Sequence, residues 1–337
     1  MEIAAKKRIE WIDILRGVAI IFVIIGHLTY FPGNNALKEA IYSFHMALFF
    51  VLAGCTTNLS YKNASLWQFV KKKSVALLLP YTVWNFLPLP YPGLDVLSNY
   101  NFVERFEIFV SGRCNNGGAF WFLLTLFALQ CIFALYVGVI EKRVRIIWLR
   151  ILILLLMYVP VVALHVIFGG KGSAWGLATQ VYFFYVPFMV GVCMMRYQEV
   201  WKFLFNKWML FLFVILALYV PSIYGYVSNM GHLSRLSGIG ITCILICIIN
   251  KGQFLSPEIN RKLATIGKFS LGIYVFHYTF TLSLASCMNW MEGFNSLVTF
   301  CLYLPLSLVI SFLCIAIVRI IEVVPMAALF MLGQSRK

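Results

Sequence analysis

Charge is what this chain has least of. Charged residues make up 12% of its 337 positions, where a soluble domain carries about 25%. Acidic residues are the scarcer kind, with 12 Asp and Glu against 27 Lys and Arg. The deficit excludes an ordinary soluble fold, and no stretch is long and polar enough to be a separate soluble domain. The nine cysteines form no C-x-x-C pair and no Cys/His ligand spacing. That argues against a disulfide framework and a zinc site. Most of them (Cys131, Cys193, Cys243, Cys247, Cys301, Cys314) lie inside apolar runs. Cys243 and Cys247 sit one helical turn apart and read as small packing residues before a redox or metal pair. No internal repeat and no low-complexity tract is present.

What fills the chain instead is apolar. Hydrophobic residues reach 62% and the mean hydropathy is +0.88. The runs are near 20 residues, the length of a spanning helix and not the ten or so of a barrel strand. The expected fold class is all-α: a polytopic membrane protein of about ten transmembrane helices, forming one membrane domain over 1–337. The spans fall roughly at 11–31, 41–60, 74–91, 119–140, 146–168, 177–195, 208–227, 236–250, 265–288 and 296–318. Pro80, Pro88, Pro90 and Pro92 interrupt the third, and such prolines free carbonyls that need other partners. The eighth is short enough to be re-entrant.

Charge placement tests that count. With the N-terminus inside, only Lys38, Arg105, Arg113, Lys171 and Arg235 fall in outer segments. The other Lys and Arg, apart from Arg16 within its span, fall in inner ones, which is the positive-inside pattern. Both termini are therefore expected in the cytoplasm. The same placement assigns the net charge of +15 to topology, so no nucleic-acid partner is expected. Lys6, Lys7 and Arg8 resemble a signal n-region, but Glu10, Asp13 and Arg16 break the apolar part and no small-x-small site follows. A retained span is expected. The longest polar stretch is the outer loop Gly93 to Gly118, which reads as a lid, a substrate rim or a solvated connector.

Two costly residues stand out in the first span. Arg16 and His27 are eleven residues apart, about three turns plus 20°, so they share one helical face. They lie about 16 Å apart along the axis. A charge facing lipid is expensive, so that face is expected to look into protein or a water-filled cavity. Arg16 reads as a snorkelling interfacial residue beside Asp13 or as an anion clamp for a phosphate-bearing ligand, and the shared face favours the clamp. His27 reads as a satisfied structural residue or, on the face it shares with Arg16, as a reactive imidazole, either a base suited to proton abstraction from a hydroxyl or a transiently acylated carrier. His45 is an interfacial residue or a second wall of the same pocket. His277 and Glu322 are open between structural and pocket roles, and Glu322 has Arg319 one turn away. Lys71, Lys72 and Lys73 read as topology or as a phosphate cradle. Trp121 reads first as an aromatic-belt residue. No metal site is expected.

These stretches, in order, resemble the acyltransferase-3 family of integral membrane proteins that O-acylate sugars and other acceptors. The resemblance rests on W-I-D-I-L-R-G-V-A-I with His27 eleven residues after its arginine, on F-H-M-A-L-F-F-V-L-A-G, and on F-V-K-K-K-S-V-A-L-L-L-P-Y. The later landmarks are F-W-F-L-L-T-L-F, F-S-L-G-I-Y-V-F-H and R-I-I-E-V-V-P. It runs from about Arg8 to Pro325. One departure is visible: where the family often has Arg-x-x-Arg before the proline, Lys73 and Ala76 stand here, leaving the lysine run as the substitute. The resemblance implies a stand-alone membrane acyltransferase of the bacterial inner membrane. Its acyl group is most often acetyl, carried by acetyl-CoA as co-substrate with no bound cofactor. Its acceptor is a hydroxyl of a cell-envelope glycan or lipid-linked sugar, and membrane lipids are its surroundings. His27 and Arg16 are implied as the essential pair, with His45, Trp121, His277 and Glu322 as pocket candidates and Lys71 to Lys73 as donor-phosphate candidates. The residues alone leave a second class open, a transporter or flippase for a sugar-lipid or anionic substrate, because proline-broken spans suit alternating access.

Overall fold

A computed structural model describes residues 9–29, 35–61, 65–86, 101–111, 120–168, 176–224, 232–250, 256–285, 287–288, 290 and 293–334. Among these residues the regular structure is helical, with no strand. Six helices are long and apolar enough to cross a membrane: Glu10–Leu28, Ala36–Tyr61, Trp121–Glu141, Ile147–Phe168, Leu177–Arg196 and Ser296–Val323. The bent pair Gln198–Leu204 and Lys207–Leu218 would make a seventh, and Leu236–Asn250 is a shorter apolar helix. The chain is thus an all-α, multi-pass membrane protein.

Several expected spans are interrupted. The second divides at Ser43 and Phe44 into helices Asn35–Tyr42 and His45–Tyr61. The third begins as a π-helical turn, Ser74–Leu78, before helix Leu79–Phe86. Pro80 has no N–H to give the carbonyl four residues back, so a standard register cannot run through it. Residues 87–91 of that span, with Pro88 and Pro90, lie outside the described residues, as do Lys6, Lys7, Arg8, Pro92, Arg113 and Lys171. The fifth divides at Met157 into Ile147–Leu156 and Tyr158–Phe168. The ninth divides at Phe269, between Pro257–Lys268 and Ser270–Ala285. Within the expected Gly93–Gly118 loop stands a helix, Phe102–Ser111. Asn101 and Glu104 exchange side-chain to backbone hydrogen bonds of 2.9 Å at its start, a reciprocal cap.

The chain forms two compact units. The first comprises Met1–Leu52 and Phe205–Val318. Its core is a cluster of Ile20, Ile24, Ile25, Leu28, Ile41, Ile273, Ile310 and their neighbours. Helix Glu10–Leu28 starts with Glu10 and Asp13 in its first turn, where carboxylates complement the helix dipole. It packs against the amphipathic helix Pro257–Lys268, whose start is capped by the Ser256 hydroxyl accepting from the Ile259 N–H at 3.3 Å. The contact is backbone to backbone. A Cβ on Gly17 would lie 2.1 Å from the Leu263 carbonyl oxygen, and one on Gly267 would lie 1.8 Å from that of Asp13. Only glycine permits this approach, a small-residue packing mode familiar in membranes. Arg261, Lys262 and Lys268 occupy the exposed face of the same helix.

The second unit comprises Ala53–Leu204 and Arg319–Lys337. Its helices are joined by buried polar pairs. Thr125 donates to Gln180 Oε1 at 2.6 Å, and Gln130 Nε2 donates to Thr57 at 3.0 Å. Such bonds hold spans together where apolar side chains gain nothing over lipid.

Candidate active site

The site grows from the C-terminal end of helix Glu10–Leu28, in the first unit. His27 lies in its last turn and is half-buried. Its ring meets His277 at a centroid distance of 5.2 Å with a 46° tilt, Tyr278 edge-on at 5.2 Å, and Tyr42 edge-on at 6.4 Å. Tyr42 in turn meets the His45 ring at 4.8 Å. Three of the four candidate imidazoles and aromatics named from the sequence therefore converge: His27, His45 and His277. Arg16 stands half-buried three turns earlier on the same helix, beside the close contact made by Gly17 and Gly267.

Two of the histidines are wired alike. His45 is 4% exposed, and its Nδ1 lies 2.7 Å from the Ile41 carbonyl oxygen. His277 is fully buried, and its Nδ1 lies 2.8 Å from the Tyr274 carbonyl and 3.1 Å from that of Ile273. A carbonyl oxygen only accepts, so each Nδ1 carries the hydrogen. In a neutral ring Nε2 is then an acceptor. The arrangement offers acceptor nitrogens and phenol rings around His27. Such a set can receive a proton and hold hydroxyl donors. Among the described residues no group of three or more His, Cys, Asp or Glu is placed to hold a metal ion.

The remaining candidates belong to the second unit. Trp121 opens helix Trp121–Leu135 and stacks on Phe184 at 5.4 Å and 26°. Lys71 and Lys72 are exposed, while the Lys73 ammonium sits 5.4 Å over the Phe69 ring. Glu322 pairs with Arg319 at 3.4 Å, as their spacing predicts.

Sequence reasoning missed Tyr42 and Tyr278. Each had a signal: Tyr42 precedes His45 by one helical turn, and Tyr278 follows His277 directly. It also missed a charge cluster in the second unit. Glu141 accepts from Arg196 through both carboxylate oxygens, the Nε bond being 2.6 Å. Arg150 pairs with it at 3.4 Å, and Tyr197 donates to it at 3.3 Å. Arg196 also donates to Asn58 Oδ1 at 2.6 Å.

The fold and this site define a class: a helical, multi-pass membrane protein with a histidine-centred site at the end of an apolar helix. Comparison with family models places it more closely. The model described as an acyltransferase domain, that of the acyltransferase-3 family, matches residues 9–316. The chain belongs to that family, whose membership implies membrane O-acyltransferase activity and favours an enzyme over a transporter. Searches of curated proteins and of solved structures returned no match.

Proposed function

We propose that this protein moves an acyl group, acetyl from acetyl-CoA, to a hydroxyl of a cell-envelope glycan or lipid-linked sugar in the bacterial inner membrane. The observation that carries the reading is the His27 ring, half-buried and walled by His277, Tyr278 and Tyr42. His27 acts as general base. It takes the acceptor hydroxyl's proton while the oxygen attacks the thioester carbonyl carbon. The C–S bond then breaks, and the thiolate leaves to be protonated as free coenzyme A. Arg16 meets the donor's phosphates, for which a guanidinium fork is suited. The pantetheine arm spans the roughly 16 Å that eleven helical residues put between Arg16 and His27. Lys71 to Lys73 are a separate candidate for phosphate binding. The proposed topology has ten spans and both termini in the cytoplasm, in a single acyltransferase domain over 1–337 with no bound cofactor.

The test supplies radiolabelled acetyl-CoA to membranes carrying the protein and counts alkali-labile label in their glycans. His27→Ala is expected to abolish transfer at normal expression. Undiminished transfer by that variant would sink the catalytic role of His27.

A further inference from the structure

The His277 ring holds an atom that the fold leaves unused. Its Nδ1–H is committed to the Tyr274 and Ile273 carbonyls. Its Nε2 is buried and has no hydrogen-bond partner. Burying an acceptor without a partner is costly, and such an atom in a native fold asks for a reason. The adjoining His27 ring, 5.2 Å away between centroids, is a candidate partner. No bond joins the rings as they stand. The terminal torsion of histidine is broad and soft, so rotating the half-buried His27 ring toward Nε2 costs little.

We infer that His277 is a positioning residue for His27: its Nε2 accepts the hydrogen bond of the imidazolium N–H that exists once His27 has taken the acceptor's proton. The inference rests on the acyl-transfer reading above. A neutral imidazole has one N–H and one lone pair. The lone pair of His27 receives the hydroxyl proton, and the ring's other N–H points to His277. No proton passes to His277, whose Nδ1–H stays on the carbonyls. The role resembles that of the carboxylate orienting a catalytic histidine, performed by a neutral ring. Among the described residues, His277, His45 and Lys38 act electrostatically on His27. His45 shares the local wiring of His277, with its Nδ1 on the Ile41 carbonyl. What sets His277 apart is the combination of direct ring contact with His27 and an unpartnered acceptor.

Two substitutions separate this role from a structural one. In His277→Asn the side-chain amide nitrogen stands near Nδ1 and keeps a donor for the carbonyls, but nothing replaces Nε2. In His277→Gln the amide reaches the Nε2 position and restores an acceptor, at the expense of the Nδ1 bonds. Transfer of label from radiolabelled acetyl-CoA to alkali-labile glycan ester is measured per folded molecule, with thermal unfolding in detergent measured alongside. The expected result is a loss of about tenfold or more in His277→Asn and of about threefold or less in His277→Gln, although Asn is the better structural mimic. Equal rates in the two variants, or full activity in His277→Asn, would overturn the role of His277 alone. Absence of transfer by the unsubstituted protein would overturn the acyl-transfer reading and this inference with it.

Discussion

Each unit holds a cluster of titratable side chains, and the two clusters are satisfied in opposite ways. In the second unit Glu141 is surrounded by donors. Arg196, Arg150 and Tyr197 all reach it, and Asn58 takes up a further N–H of Arg196. In the first unit three histidines gather with their hydrogens committed to backbone carbonyls or their rings packed on one another, and one acceptor nitrogen is left without a partner. A saturated cluster inside a membrane protein ties helices together. An under-satisfied one calls for an explanation, and the proposed reaction at His27 supplies one. The difference separates a staple from a candidate site, although both consist of titratable residues.

Substitutions can break that contrast. The largest effect is expected at His27: replacing it with alanine should lower acyl transfer by about 100-fold or more, the usual contribution of a general base, while unfolding in detergent stays near that of the parent. Next comes Glu141→Ala. The Glu141 side chain is 12% exposed and its arginine partners 23%, so losing it strands two partly buried cations. A destabilisation of about 3 kcal/mol is expected, read as earlier thermal unfolding, with transfer per folded molecule retained. Gly267→Ala follows. The added methyl meets the Asp13 carbonyl oxygen at 1.8 Å, so one of two packed helices must shift, at about 2 kcal/mol. Because that contact lies one turn before Arg16, transfer should fall together with stability.

The smallest effect is expected at Glu258, and it depends on pH. The Lys262 ammonium lies 2.8 Å from its carboxylate, and that hydrogen bond and charge hold the carboxyl below its ordinary value. A carboxyl depressed in the folded state adds stability above its unfolded pKa and loses it as pH falls through the folded one. Both side chains are exposed, so solvent screens the pair. Melting curves of Glu258→Gln and the parent should nearly coincide at neutral pH and merge in acid.

The features legible in the sequence are those set within one helix. The lengths of the apolar runs made the class readable. The spacing of Arg16 and His27 put both on one face, and the i, i+3 spacing of Arg319 and Glu322 anticipated their pairing. Features that depend on a second helix were not readable. No periodicity marks Phe269 as a break, because the apolar stripe of Pro257–Lys268 runs into the apolar helix after it. The close approach at Gly17 and Gly267 exists only once the two helices meet. Glu141 and Arg196 are 55 residues apart, and each alone resembles an ordinary charge at the end of a span. His277 was visible as a costly residue, but its commitment to the Ile273 and Tyr274 carbonyls, and hence its free Nε2, is a matter of rotamer.

The measurement that bears most directly on the account compares His27→Ala with Glu141→Ala. For each, label moved from radiolabelled acetyl-CoA into alkali-labile glycan ester is divided by the amount of folded protein, and unfolding in detergent is followed in parallel. The expected result is a stable, inactive His27 variant and a destabilised Glu141 variant with near-normal transfer per folded molecule. Transfer that survives the loss of His27 would contradict the assignment of the reactive site to the first unit.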